Sequence, residues 1–277
     1  LSRTTAPAIA QRRSPPATLA ARYRRSPALD ALPVLHLDDR LAVVDKPAGL
    51  MVHDSALARG ETDFAADRLR AQFGRPVFLL HRLDRATSGC LMLAFDRETA
   101  SAMGRQLMAR EVRKNYLAVC RGWPDAEGLI DHPLDGGPGK PQKKPAQTAY
   151  RLLACGELDE ASAGHPTSRF ALLQCSPLSG RFRQIRRHLK HIDHHLIGDT
   201  SHGDGRRNRM FRMRGVHRML LHAWALHWTD GSGRTFGVQA PPDAEFRRAL
   251  GLFGWHLPEA PLALPSAGAA AEPEGGR

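Results

Sequence analysis

The sequence predicts an α+β fold with a mixed, mostly antiparallel sheet. Three observations lead there. Short apolar runs and segments of helical period are interspersed without a regular βαβ repeat. No Gly-rich phosphate loop follows a strand-like run, and the chain has no internal repeat. Its 277 residues are 42% hydrophobic and 25% charged, enough to bury a full core. That composition excludes a collagen-like repeat, a disulfide scaffold and a wholly disordered chain.

The elements follow in order. Residues 1–29 hold six arginines and no acid among Ala, Pro, Ser and Thr, so they read as a disordered basic arm. Residues 41–45 (LAVVD) form an apolar run stopped by Lys46-Pro47-Ala48-Gly49, which reads as a strand and a tight turn. Residues 61–73 put Phe64, Ala65, Leu69 and Phe73 on one side, which predicts a helix. Residues 77–80 and 90–95 are strand-like and flank the polar segment HRLDRATSG. A helix is expected over 97–110, with Ala100, Met103 and Leu107 at core spacing, and a strand over 116–120. Residues 131–147 are rich in Gly, Pro and Lys and read as a long loop. A strand over 170–175 leads through Ser179-Gly180 into a helix over 181–192. There Phe182, Ile185, Leu189 and Ile192 make one stripe, with Arg186 at its margin. A late strand over 219–228 and a closing helix over 246–253 complete a folded body of 30–257. Residues 258–277 read as a loose tail.

Forty Lys and Arg against 28 Asp and Glu give a net charge of +12. The arm carries +6 and the tail −2, which leaves +8 on the body. Residues 176–218, with eleven Lys and Arg and three Asp, account for all of it. A neutral body with one basic segment suits an acidic partner docking in one place, and nucleic acid is the first candidate. No run of about 18 apolar residues is present, so no membrane span is expected. The first 30 residues lack an apolar signal core. Cys90, Cys120, Cys155 and Cys175 form no CxxC and are expected as free thiols in a reducing cytoplasm.

HRLDRATSG carries the candidate chemistry. Its one carboxylate, Asp84, lies between Arg82 and Arg85, whose charges favour the ionised form. An ionised Asp at a strand end can act as nucleophile or base, although an Asp in a turn also caps local N–H groups. Tyr116 opens a strand and could stack on a base or pack in the core. His191 and His195 have the i, i+4 spacing of a metal pair. No HExxH glutamate or cysteine pair accompanies them, and the segment is cationic, so no metal is expected.

Five blocks, in order, resemble the pseudouridine synthases of the RluA family. They are LAVVDKPAGLMVH (41–53), HRLDRATSGCLMLA (81–94), RKNYLAVCRG (113–122), SGRFRQIRRHLKHIDHHLIGD (179–199) and RMLLHA (218–223). PTSRFALLQC (166–175), HGDGRRNR (202–209) and LFGW (252–255) resemble the branch that modifies uridine 65 in the T stem of certain tRNAs. The resemblance spans about four-fifths of the chain. It implies two lobes around a central catalytic cleft and an RNA-modifying isomerase without a cofactor, acting on tRNA, with large-subunit ribosomal RNA as substrate or a catalytically inactive RNA-binding protein as the alternatives; a monomer is expected. Carried over by position, Asp84 is the catalytic aspartate, Tyr116 the active-site tyrosine and Arg186 the basic partner of the aspartate. Arg82 enters the RNA stack where the target base leaves, Leu220 is an apolar wall, and Arg85, Arg181 and Arg183 meet the RNA. Two departures stand out. Arg183 replaces a usual His and His195 a common Pro.

Overall fold

The computed structural model describes residues 30–54, 60–161, 164 and 166–264. The expected arm over 1–29 and the tail beyond 264 lie outside them. The strands are β1 (Val34–Leu37), β2 (Leu41–Lys46), β3 (Phe78–Leu79), β4 (Ser88–Ala94), β5 (Arg113–Arg121), β6 (Glu127–Asp131), β7 (Gln147–Leu158), β8 (Ser168–Pro177), β9 (Leu221–Thr229) and β10 (Thr235–Gln239). The helices are α1 (Ala65–Phe73), α2 (Arg97–Ala109), α3 (Gln184–His191), α4 (Gly205–Arg212) and α5 (Ala244–Gly251).

The strands form one sheet in the order β1-β2-β4-β9-β5-β8-β7-β6, with β3 on β4 and β10 on β9. Near the middle of this order β4 and β9 pair in parallel, forming a seam at Ser88 with His222 and Gly89 with Ala223. The other named pairings are antiparallel. Gly89 makes the seam possible. Its φ is 104°, and a Cβ there would lie 2.2 Å from the Ala223 carbonyl oxygen. β4 is buried along its whole length, as a central strand covered on both faces should be.

Alternate residues of β5 and β8 face opposite ways. Ala118, Cys120, Ala171, Leu173 and Cys175 pack with Ile185 and Leu189 of α3. Leu117, Val119, Phe170 and Leu172 pack with Met210 and Phe211 of α4 and with Phe246 of α5. The basic window 176–218, read as one footprint, is therefore divided between the two faces of the sheet.

Several boundaries differ from the sequence reading. α1 starts at Ala65 rather than 61, because Phe64 is extended and bridges to Met51. α3 starts at Gln184 rather than 181. Gln184 reaches back, accepting from Ser179 Oγ and Arg181 N–H and donating to the Gln147 carbonyl, so 179–183 is held as a turn. α4, β1, β6, β7 and β10 had no counterpart among the expected elements. Cys155, which the sequence left outside any strand, lies in β7. The segment read as a loose tail stays attached beyond 258, where Leu262 N–H donates to Gln174 Oε1 at 2.9 Å.

Candidate active site

Asp84 lies in the loop of residues 80–87 between β3 and β4. The loop turn is closed by Thr87 N–H donating to the Asp84 carbonyl at 3.0 Å. The Lys46-Pro47-Ala48-Gly49 segment clasps it from behind. Buried Lys46 donates from Nζ to the carbonyls of Pro47 (2.7 Å), Leu50 (2.8 Å) and Arg85 (3.4 Å). Gly49 N–H donates to the Arg85 carbonyl at 2.8 Å. Burial depresses the Lys46 ammonium to about 7, assisted by the charge of Arg218 and opposed by those of Asp84 and Asp45.

A second clasp holds the seam. Arg218 donates to Ser88 Oγ (2.8 Å) and to the carbonyls of Met219 (2.9 Å) and Leu221 (2.8 Å), and it pairs with Asp243. His222 donates from Nε2 to the Ala240 carbonyl (2.9 Å), so its Nδ1 accepts the Ser88 hydroxyl (2.7 Å). Burial, above all, depresses His222 to about 4 and keeps it neutral.

Arg186 of α3 meets the loop from across the cleft. It donates from Nη1 to Asp84 Oδ2 at 2.8 Å. Its other edge forms a fork with Asp199, Nε to Oδ2 at 2.6 Å and Nη2 to Oδ1 at 2.8 Å. The Arg186 residue is 6% exposed, and the Asp199 side chain is fully buried. Burial alone would raise the Asp199 carboxyl. The bonds from Arg186 and from the Ser201 and His202 amides outweigh it and hold the group low. Asp199 thus fixes the guanidinium and leaves one N–H edge for Asp84. Asp199 ends the block that carries Arg186, yet no motif or spacing marked it as part of the site.

Tyr116 lies on β5, opposite Ala223 and Cys175. Burial raises its hydroxyl well above the ordinary tyrosine range, and the charge of Asp84 adds to this, so it stays protonated. Arg183 precedes α3 in the left-handed region (φ 50°, ψ 38°), with its guanidinium 4.9 Å from the Phe182 ring centre. Together Arg82, Asp84, Tyr116, Arg181, Arg183 and Arg186 line one cleft of about 1050 Å³.

Two expected residues lie elsewhere. Leu220 faces the opposite core with Leu117, Val119 and Phe170, and its neighbour Leu221 lines the cleft instead. One step along a strand reverses the face. Arg85 points away from the cleft, bonding the Gly49 carbonyl (3.0 Å) and Glu61 (2.8 Å). The two histidines of metal spacing do not converge. His191 stacks on His132 at 3.7 Å, and His195 lies beyond the end of α3 with Nδ1 bonded to the His202 carbonyl. Among the described residues no group of three or more His, Cys, Asp or Glu could hold a metal ion.

Residues 40–191 match the family model of RNA pseudouridylate synthases. The chain belongs to this family. Relatives agree over most of its length. A tRNA pseudouridine synthase C of Haemophilus ducreyi is 39% identical over 82% of this chain and 97% of its own. One of Vibrio parahaemolyticus is 42% identical over 81% and 96%. Among solved structures, Human RNA Pseudouridylate Synthase Domain Containing 1 superposes with a TM-score of 0.58 at 26% identity, covering 79% of this chain and 86% of that one. This pseudouridine synthase is an isomerase that converts uridine to pseudouridine in RNA. No helix among its described residues is long and apolar enough to cross a membrane.

Proposed function

We propose that this synthase modifies a tRNA, at uridine 65 of the T stem, with Asp84 as its catalytic carboxylate and without a cofactor. The observation that carries the reading is the Asp199–Arg186–Asp84 chain beside Tyr116 in one cleft. The relatives named for tRNA support the substrate.

The reaction breaks the C1′–N1 bond, turns the base, and joins C1′ to C5. C5 loses a proton and N1 gains one, so atoms and electrons balance within the substrate. The demand on the protein is one ionised carboxylate near the sugar, acting as nucleophile or base. Arg186 aims Asp84 through its Nη1 bond, and Asp199 keeps Arg186 from swinging away. Tyr116 offers a flat ring with a neutral hydroxyl on which the base turns, with Leu221 as the apolar wall. A paired uridine must first leave its stack, at a cost of a few kcal/mol. Exposed Arg82, at the cleft edge, fills the vacated space, and Arg181 and Arg183 meet phosphates.

The test is pseudouridine mapping by chemical derivatisation and primer extension, on tRNA transcripts in EDTA with no added cofactor. A single modified T-stem uridine is expected. Product only on ribosomal RNA fragments would move the substrate and keep the chemistry. Loss of product in EDTA would overturn the cofactor-free reading.

A further inference from the structure

The cleft has two cationic banks. Arg181 and Arg183 stand on the α3 bank with Lys140 and Lys144. The opposite bank is built by the end of α2 and the start of β5, where Leu107, Met108, Arg110 and Lys114 line the cleft beside Leu80 and His81. Lys114 lies two residues before Tyr116 on β5, and both line this cleft.

Lys114, half-buried, differs from the other cations that hold the site. Lys46 has three carbonyls, Arg186 two carboxylates, and Arg218 a carboxylate and several carbonyls. Among the described residues, no hydrogen bond or ion pair reaches the side chain of Lys114 or Arg110. Burial lowers the Lys114 ammonium from its ordinary value with no carboxylate to oppose it. Its titratable neighbour, His81, is held neutral near 4, first by burial and then by the charge of Lys114. A partly desolvated cation without a partner is costly to keep, and an arriving anion would relieve the cost.

We propose that Lys114, with Arg110 on the same bank, seats one backbone phosphate of the RNA next to the target uridine. This rests on the reading of the cleft as the RNA-modifying site. The phosphate is favoured over the base on charge. A phosphodiester brings a full negative charge before any bond breaks, whereas uracil is neutral until C1′–N1 opens. The bank faces the α3 cations across the cleft, so the backbone is gripped on both sides of the flipped nucleotide.

The test compares wild type, Lys114→Met and Lys114→Arg on an unmodified tRNA transcript, reading Kd against salt and the rate at saturating RNA. Lys114→Met should weaken binding about five- to tenfold at ~0.1 M salt and lower the log–log salt slope by about 1. Its rate at saturating RNA should stay within about twofold, and Lys114→Arg should restore the slope. An unchanged slope in Lys114→Met, whatever happens to the rate, would overturn the phosphate seat. A fall in rate with that slope intact would assign Lys114 to the base instead. Wild-type protein with no salt-dependent RNA binding would overturn the reading of the cleft itself. A steep wild-type slope shared by Lys114→Met would overturn only the seat. Circular dichroism melts confirm that each variant is folded at assay temperature.

Discussion

The two basic helices of the 176–218 window make an instructive pair. α3 and α4 are each eight residues long and rich in arginine. α3 packs against the cleft face of the sheet and α4 against the reverse. On α3, Arg186 is buried between two carboxylates at the cleft. On α4, Arg207 folds back on Asp204, Arg206 bonds the Ala161 carbonyl, and Arg209 and Arg212 are exposed. None of these four lines the cleft. Charge density along a sequence is thus a poor guide to location. The apolar residues between the charges decide which face a helix covers, and buried acids decide which cation becomes part of a site.

The sharpest break of this contrast is Arg186→Met. It leaves Asp84 and Asp199 facing each other without their shared cation, and it should cost about 3–5 kcal/mol of stability. Activity should be lost as well, measured by single-turnover pseudouridine formation below the variant's melting temperature. Leu220, just before β9, and Leu221, its first residue, test the two faces directly. Leu220→Ala should cost about 2–5 kcal/mol in urea unfolding. It should leave kcat/KM of the folded protein within about twofold, while Leu221→Ala lowers kcat/KM about tenfold. Equal kinetic effects would mean that the cleft wall has been misplaced.

Acid separates the two faces too. His222 has its ordinary value of 6.5 in the unfolded chain and about 4 in the fold. The unfolded chain therefore binds the proton first. This contribution to stability is intact above pH 6.5 and is lost as pH falls towards 4, to the order of 3 kcal/mol. Asp199 has the same sign in a lower pH window, because folding lowers its value too. Its value is held below the ordinary 3.8, so the Arg186 pair survives until the pH falls below that. Denaturation followed from pH 7 to 3 should show the histidine loss first, with a shallower fall in His222→Gln. The smallest effects belong to α4. Arg209→Ala and Arg212→Ala should change RNA affinity less than about twofold, against about five- to tenfold for Arg181→Ala or Arg183→Ala. Comparable losses on α4 would carry the RNA footprint onto the reverse face.

Much of this was legible in the sequence. The apolar run of β4, the capped helix α2 and the period of α3 marked the elements that present Asp84, Tyr116 and Arg186. What escaped notice lacked a local signal. β10 is a short edge strand with alternating exposure, and β7 does not alternate cleanly. α4 reads as a basic loop because its two buried apolar residues, Met210 and Phe211, sit among arginines. Lys46 and Asp199 matter through partners far along the chain, 39 residues to Arg85 and 13 to Arg186. Spacing cannot reveal such pairs. The Leu220 and Leu221 exchange is a register error of one residue, which only the pairing of β9 resolves.

The proposed function stands or falls with Asp84, held by Arg186, as the group that does the chemistry on a bound uridine. The most direct measurement is Asp84→Asn in a single-turnover assay, with RNA affinity measured on the same preparation. RNA binding within about threefold of wild type and no detectable pseudouridine are expected, because the amide neither attacks nor accepts a proton as a carboxylate does. Pseudouridine formed by Asp84→Asn at a rate near that of wild type would contradict it.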